Sequence, residues 1–152
     1  MLKVPFFKQN RDYTCGPACL RMVLAYYGIE QDEVTLTMLC GTNLFGTAAR
    51  QISSVAQQLG LAARYAYFET LAAITEALAN RIPVLVAVDV GELYEREEFK
   101  HQRHMIVVVE VTETTVRFHD PLMQANSTVT LDLFERAWEA AKKEVIAIWR
   151  ET

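Results

Sequence analysis

The chain has 152 residues, of which 51% are hydrophobic and 22% are charged, so it can bury a core without disulfides or structural metals. This length is typical of one domain, and we expect a single domain over residues 1–152. The net charge of −4 argues against nucleic acid or anionic lipid as a partner, and no apolar run reaches the roughly 18–20 residues of a membrane span.

Helical patterns dominate the first half of the chain. After an extended lead-in that ends at Gln9, residues 16–27 carry apolar side chains around most of the helix circumference, which predicts a buried helix. Pro17 suits the first turn of this helix and Gly28 its end. Three more helices and one strand are predicted, with the helices over residues 32–40, 47–59 and 70–80 and the strand over 61–68.

Strand patterns dominate the second half. Short segments rich in β-branched residues alternate with turn residues, and they cover residues 84–90, 105–111, 115–119, 128–131 and 144–150. Before the last of these, Asp132 begins a capping-box-like pattern that predicts a helix to about Lys143. Because helices gather in the first half and strands in the second, the pattern favours an α+β fold with a C-terminal antiparallel sheet.

The three cysteines are interpreted as free thiols. An odd number of cysteines without a secretory signal indicates a reducing compartment, so we expect the protein to be cytoplasmic. Cys19 lies on the same flank of the predicted buried helix as Cys15, and Cys40 closes a short helix, so Cys19 and Cys40 are expected to be core residues.

Cys15 differs because it lies at, or just before, the N-terminus of the predicted buried helix. Unpaired backbone N–H groups and the helix dipole stabilise an anion there, so the pKa of a thiol falls and the nucleophilic thiolate forms near neutral pH. Gly16 is expected to leave room for a substrate carbonyl beside the backbone. The side-chain amide of Gln9 is expected to form an oxyanion hole together with the Cys15 N–H.

A thiol nucleophile needs a base, the base needs an orienting group, and two strand residues fit these roles. His104 opens one predicted strand and Asp120 ends the next. If the two strands form a hairpin that turns at residues 112–114, Ile106 pairs with Asp120 and His104 lies diagonal to Asp120 on the same face. A slip of one residue would send Asp120 to the opposite face, so the hypothesis includes a register prediction.

These segments resemble the double-glycine, or bacteriocin-processing, peptidases, a branch of the papain-like cysteine peptidases. The likeness rests on residues 4–9, on the Cys-Gly-Pro-Ala-Cys-Leu run that begins at Cys15, and on the segments that contain His104 and Asp120. It covers essentially the whole chain. It implies a papain-like α+β fold in which Cys15 is the nucleophile, His104 the base, Asp120 its orienting group and Gln9 an oxyanion donor. The implied reaction is cleavage of a peptide bond after a Gly-Gly leader sequence, with no metal and no other cofactor.

The best-known members of this family are N-terminal domains of exporters that also contain membrane spans and an ATPase. We expect this chain to be a stand-alone peptidase whose substrate is a peptide or a peptide-like molecule, and the resemblance leaves room for a separate transporter as a partner. Two alternatives stay open. One is an acyltransferase that uses the same acyl-enzyme, and the other is a catalytically silent peptide-binding module of the same fold.

Other features have plainer interpretations. A zinc site is an alternative use of two thiols and two imidazoles, those of Cys15, Cys19, His101 and His104. It is disfavoured because it leaves the remaining candidate site residues without a role. His119 is expected to face away from the site, as a surface residue or a hydrogen-bonded core residue. The charged stretch at residues 89–103 is expected to be a solvated loop, with a wall of the substrate groove as the alternative.

Overall fold

The computed structural model describes residues 1–151, in which helices cover both faces of a central sheet. Three helices precede the first strand: α1 (Cys15–Tyr26), α2 (Glu33–Leu39) and α3 (Ala49–Gln58). The later elements are β1 (Ala62–Ala66), α4 (Leu71–Ala79), β2 (Val84–Asp89), α5 (Val90–Leu93), β3 (Arg103–Val111), β4 (Thr115–His119), β5 (Ser127–Thr130), α6 (Leu131–Ala140) and β6 (Val145–Trp149). A 3₁₀ turn, Glu97–Phe99, lies between α5 and β3.

The strands form a six-stranded antiparallel sheet in the order β1-β6-β2-β3-β4-β5. The central strands β2 and β3 are buried along most of their length, because apolar side chains cover both of their faces. The predicted α+β class with an antiparallel sheet from the second half of the chain is confirmed, and β1 extends that sheet from the first half.

The sheet separates two apolar cores, as strand alternation requires. On one face α1, α2 and α3 pack against Leu85, Met105, Val107 and Ile146. On the other face α4, α5 and α6 pack against the alternate residues of the same strands, and the largest side chains of this core are Phe118, Phe134 and Trp138. The first core holds the start of α1 against β3.

Helix α1 is buried as its all-round apolar pattern predicts, and every residue from Cys15 to Leu20 is buried. Asp32 is the N-cap of α2, as predicted, and its carboxylate accepts a hydrogen bond from the Thr35 N–H at 2.7 Å. The sequence placed the cap of α6 two positions too late, at Asp132. The hydroxyl of Thr130 fills that role by accepting from the Leu133 N–H at 3.2 Å, and the helix then ends at Ala140.

The stretch at residues 89–103 is more ordered than the expected solvated loop. Asp89 ends β2 and caps α5 by accepting a hydrogen bond from the Glu92 N–H at 3.2 Å. The 3₁₀ turn follows before β3 begins at Arg103. We call residues 90–102 the cavity-wall segment, because several of them line the cavity beside Cys15 and His104. None of the helices within residues 1–151 has the length and hydropathy needed to cross a membrane.

Candidate active site

Cys15 is the first residue of α1, and its thiol is buried against the first core. The hydroxyl of the N-cap residue Thr14 donates to the Arg11 carbonyl at 3.0 Å, so it does not cap the helix. The first turn therefore directs N–H groups without intrahelical acceptors, and the positive end of the helix dipole, toward the Cys15 position. This is the placement that the sequence predicts.

His104 lies between Cys15 and Asp120. Its Nε2 is 2.7 Å from Asp120 Oδ1, and His104 lines the same cavity as the Cys15 thiol, whose pKa it lowers. All three side chains are buried, with Asp120 fully so. The structure therefore brings together three of the four side chains that the sequence singled out.

The electrostatics of this group favour a thiolate–imidazolium pair. Burial opposes ionisation of Cys15, but the hydrogen bond and positive charge of His104 outweigh it, so the pKa of the thiol is lowered. Burial likewise opposes protonation of His104, but Asp120 and Cys15 raise the pKa of the imidazole to about 9. Burial would raise the pKa of Asp120, yet the hydrogen bond from His104 and its charge lower it. Each charge therefore depends on its neighbour.

The meeting of His104 and Asp120 depends on a β-bulge at Val109. Next to the turn, β3 and β4 pair as Val111 opposite Val116, and that register by itself would place Asp120 on the face opposite to His104. The register shifts between Val108 and Glu110, so that the ladder continues with Val107 opposite His119. In this shifted register Ile106 and Asp120 are the next opposed positions, as the sequence predicts, although the sequence did not reveal the bulge.

The Asp120 carboxylate accepts three hydrogen bonds. Oδ1 accepts from His104 and from the Leu122 N–H at 2.9 Å, and Oδ2 accepts from the Tyr94 hydroxyl. Sequence reasoning missed Tyr94 because it lies in the charged stretch that was interpreted as a solvated loop. One signal was present, since Tyr94 is a large aromatic residue among charged ones.

Gln9 is buried beside this group, and its backbone N–H donates to the Pro121 carbonyl at 2.8 Å. Its side-chain Nε2 donates to the Arg11 carbonyl at 2.6 Å, and its Oε1 has no hydrogen-bond partner among residues 1–151. The next N–H along the chain, that of Asn10, donates to the buried carboxylate of Glu33 at 2.9 Å. Sequence reasoning missed Glu33, which is the anchor of the Gln9 segment on α2.

Gly16 has a different role from the expected one. A Cβ at this position would lie 3.1 Å from Ile52 Cδ1 and 3.1 Å from Thr47 Cβ. The glycine therefore permits close packing of α1 against α3 and against Thr47, which precedes α3. Ile52 and Thr47 occupy the space beside it, so that space is not available to a substrate carbonyl. The residue type is explained by helix packing, which the sequence could not specify.

A cavity of about 830 Å³ opens beside Cys15 and His104. Residues 44–46, the cavity-wall segment and the loop after Asp120 surround it, and its lining includes Tyr94, Arg96, Phe99, Leu122 and Met123. Gln9 is not among the lining residues. Of the two interpretations of residues 89–103, the structure supports a wall of the groove.

Apolar side chains stand at the rim of this cavity. Phe45 is 98% exposed and Leu44 76% exposed on one side, and Met123 is 57% exposed on the other. Large exposed apolar side chains beside a cavity are typical of a surface that binds an apolar partner or substrate.

Arg103 borders the cavity next to His104 and forms an ion pair with the buried Glu144. Its Nε lies 3.1 Å from Glu144 Oε1, and its Nη1 donates to the Thr47 carbonyl at 3.4 Å. The positive charge of Arg103 contributes to the lowered pKa of the Cys15 thiol. The pair also ties the start of β3 to the start of β6.

Cys19, Cys40 and His119 lie where the plainer interpretations put them. Cys19 and Cys40 are buried in the first core, and burial raises the pKa of both thiols, that of Cys40 to about 11. His119 is a hydrogen-bonded core residue: its Nε2 donates to the Val4 carbonyl at 2.7 Å and its Nδ1 accepts from the Asn126 N–H at 3.0 Å. Within residues 1–151 no group of three or more His, Cys, Asp or Glu side chains is arranged to share a metal ion.

Comparison with known proteins identifies the family of this chain. The sequence model of the Peptidase_C39 like family matches residues 1–146. The pediocin PA-1 transport/processing ATP-binding protein PedD of Pediococcus acidilactici is 31% identical over 128 residues, which make up 82% of this chain but 16% of that protein. The chain thus corresponds to a small part of this relative.

Solved structures share the fold. A C39-like peptidase from Bacillus anthracis has a TM-score of 0.84 at 17% identity, over 99% of this chain and 96% of that one. A double glycine motif protease from an AMS/PCAT transporter, solved in complex with the leader peptide, has a TM-score of 0.75 at 21% identity, over 98% of this chain and 93% of that one. The papain-like α+β fold expected from the sequence is therefore confirmed.

Proposed function

We propose that this chain, which belongs to the Peptidase_C39 like family, is a cysteine peptidase with Cys15 as nucleophile, His104 as base and Asp120 as the group that orients the base. The observation that carries the proposal is the buried His104 imidazole, which hydrogen-bonds Asp120 at 2.7 Å, lines the same cavity as Cys15 and lowers the pKa of its thiol. Such an arrangement activates a thiol as a nucleophile at neutral pH and holds the base in one orientation.

The proposed reaction proceeds through an acyl-enzyme. The Cys15 thiolate attacks the carbonyl carbon of the scissile peptide bond, and the carbonyl electron pair moves onto oxygen. When the tetrahedral intermediate collapses, the His104 imidazolium gives its proton to the leaving amine, and a thioester remains on Cys15. Neutral His104 then takes a proton from water, whose oxygen attacks the thioester. Collapse of this second intermediate releases the acid and regenerates the thiolate.

The oxyanion formed in both steps is proposed to accept hydrogen bonds from the Cys15 N–H and from the Gln9 amide. An amide nitrogen carries two hydrogens, and the bond to the Arg11 carbonyl uses one of those on Gln9 Nε2. The Gln9 segment is anchored on both sides, by the Pro121 carbonyl and by the Glu33 carboxylate. A fixed donor of this kind typically contributes about 10²–10³ in rate.

The proposed substrate is a peptide that is cleaved after a Gly-Gly leader sequence. The relative PedD is a transport/processing protein, and the double glycine motif protease of the same fold was solved with a leader peptide. The apolar rim formed by Leu44, Phe45 and Met123 suits a peptide with apolar side chains near the cleaved bond. We also propose a cytoplasmic setting and a separate transporter as partner, which the three free thiols and the likeness to PedD support.

The test is cleavage of synthetic Gly-Gly leader peptides, followed by mass spectrometry of the products. We expect the unmodified protein to release the leader, Cys15→Ala to release none, and the matched control Cys40→Ala to keep its activity, because the Cys40 thiol is buried in the core away from the cavity. Equal turnover by the Cys15→Ala variant would contradict the proposal. Products joined to an added amine in place of hydrolysed products would indicate the acyltransferase alternative, and absence of any product from the unmodified protein would indicate the silent binding module.

A further inference from the structure

We propose that Tyr94 is a positioning residue of this site, whose hydroxyl fixes the Asp120 carboxylate and thereby the His104 imidazole, and links both to the wall of the cavity. The inference rests on the proposed function, because it concerns the orientation of the proposed base. It extends that function to a residue of the cavity-wall segment that is not part of the four-residue pattern, Gln9, Cys15, His104 and Asp120, recognised in the sequence.

The hydrogen bonds of Asp120 divide unequally between its two oxygens. Oδ1 accepts from His104 and from the Leu122 N–H, whereas the hydroxyl of Tyr94 is the donor to Oδ2. Two donors at one oxygen leave the carboxylate free to tilt about the bond to its Cβ, and a third donor at the other oxygen prevents this. Because Asp120 is fully buried, loss of the Tyr94 hydroxyl would also leave a charged oxygen without a hydrogen-bond partner from the protein.

Tyr94 is itself held by closely packed backbone. Its N–H donates to the Val90 carbonyl at 3.0 Å, which places it at the end of the short helix α5. A Cβ on Gly91 would collide with the backbone of Lys100, so the two ends of the cavity-wall segment touch each other. The tyrosine ring is thus positioned by local packing and does not depend on a flexible loop.

The same segment also forms the cavity. Tyr94, Arg96 and Phe99 all line it, and Arg96 lies over the Phe99 ring with its guanidinium carbon 5.4 Å from the ring centroid. A peptide that contacts Arg96 or Phe99 therefore touches the segment that holds Asp120 through Tyr94. Substrate binding and orientation of the proposed base depend on one structural unit.

The electrostatic surroundings of Tyr94 keep its hydroxyl protonated, so that it can always donate to Asp120. Burial and the charge of Asp120 raise the pKa of Tyr94 far above its usual range, so the hydroxyl keeps its proton. Its hydrogen bond in turn helps to lower the pKa of Asp120. The other titratable groups that influence Asp120 and its partner are His104 on β3 and the thiols of Cys15 and Cys19 on α1.

The test compares Tyr94→Phe with the unmodified protein and with Tyr27→Phe. The control also loses one hydroxyl hydrogen bond, to the Ile148 carbonyl at 2.7 Å, but at the opposite end of α1. For Tyr94→Phe we expect kcat for leader-peptide cleavage to fall about tenfold or more, the equivalent of a hydrogen bond to a charged group, with KM unchanged within about twofold. We also expect the acidic limb of the kcat profile to move to higher pH, because Asp120 loses a donor that lowers its pKa. Tyr27→Phe is expected to change neither quantity.

Two results would overturn the inference: an unchanged kcat and acidic limb in Tyr94→Phe, or an equal change in Tyr27→Phe. If Tyr94→Phe fails to fold, 3,5-difluorotyrosine at position 94 keeps the hydroxyl and makes it a stronger donor. The acidic limb is then expected to move to lower pH, and an unmoved limb would refute the positioning role. An inactive unmodified protein would instead count against the proposed function, so the two failures are distinguishable.

Discussion

The start of α1 and the cavity-wall segment both border the cavity, but different interactions hold them in place. Residues Cys15 to Leu20 are buried on all sides among apolar side chains. The cavity-wall segment carries exposed charges. Its local contacts are the Asp89 cap, the close approach of Gly91 to the Lys100 backbone, and surface ion pairs of Lys100 with Glu92 and Glu97. The two regions therefore differ in how much free energy their contacts contribute.

This difference matches the demands on the two regions. A nucleophile must stay within a fraction of an ångström of its base, and apolar burial provides that rigidity. A wall that meets a peptide can be built from a surface segment, provided that its backbone is constrained locally. In the cavity-wall segment, Glu95 and His101 have left-handed φ values of 55° and 70°, and the Gly91 backbone closely approaches that of Lys100. Such backbone conformations persist only where the surrounding structure constrains them.

The largest expected effect is on catalysis, from His104→Ala. Without its base the protein is expected to lose about 10²–10⁴ in kcat/KM for leader-peptide cleavage. Iodoacetamide is also expected to label Cys15 more slowly at mildly acidic pH, because the positive charge and hydrogen bond that lower the pKa of the thiol are gone. The control is His101→Ala, an exposed residue that does not line the cavity, and it should leave both rates nearly unchanged. Equal losses in the two variants would contradict the role of His104 as the base.

The next largest effect is on stability, from Leu20→Ala in α1. Leu20 is fully buried, so its truncation is expected to lower the free energy of unfolding by about 2–5 kcal/mol. Phe99→Ala in the cavity-wall segment is expected to cost less than about 1 kcal/mol, because the ring is 38% exposed. Urea denaturation followed by circular dichroism measures both values. A larger loss for Phe99→Ala would show that the cavity-wall segment is part of the stabilising core.

Gly91→Ala tests whether the cavity-wall segment depends on its one tight contact. The added methyl group would collide with the Lys100 backbone, so we expect a loss of about 1–3 kcal/mol in the free energy of unfolding. Because the segment must shift, the cavity and Tyr94 move with it, and kcat/KM for the leader peptide is expected to fall as well. Normal stability and activity in this variant would mean that the contact is not required.

The pH dependence separates the buried charges from the exposed ones. The folded-state pKa of His104, about 9, lies above its ordinary value of 6.5, so the stabilising contribution of the protonated imidazole is complete below about 6.5 and is lost as the pH rises through about 9. Activity is expected to decline over the same upper range, by about tenfold for each pH unit beyond it. Added salt should leave this high-pH decline in activity in place, since His104 is buried. If salt shifts the decline, exposed charges and not His104 would determine the activity at high pH.

The smallest expected effect is that of Lys100→Ala. Its ion pairs with Glu92 (3.5 Å) and Glu97 (3.0 Å) lie at the surface, where such pairs contribute about 0–1 kcal/mol. We expect a change in the free energy of unfolding near the lower end of that range, and less still at high salt. A loss comparable to that of Leu20→Ala would contradict the view that the Gly91 contact, and not the ion pairs, holds the segment.

Much of the fold could be predicted because its signals are local. The all-round apolar pattern of α1 predicts its burial, the β-branched runs predict the strands of the sheet, and the Asp32 cap marks the start of α2. The sequence did not predict the start of α6 or the existence of α5. Thr130 and Asp89 cap these helices, but neighbouring residues have an equal propensity to act as caps. Local propensity cannot choose between such residues, whereas packing against the sheet does.

The sequence by itself determined which side chains were available for chemistry: a cysteine at a helix start, and a histidine and an aspartate at the ends of neighbouring strands. Only the tertiary structure decided that Cys15, His104 and Asp120 meet, because the bulge at Val109 sets the face of Asp120. The structure also decided that Tyr94 completes the hydrogen bonds of the carboxylate. The physical reason is that residue type and spacing act over a few positions, whereas register shifts and contacts between distant segments depend on the packing of the whole sheet.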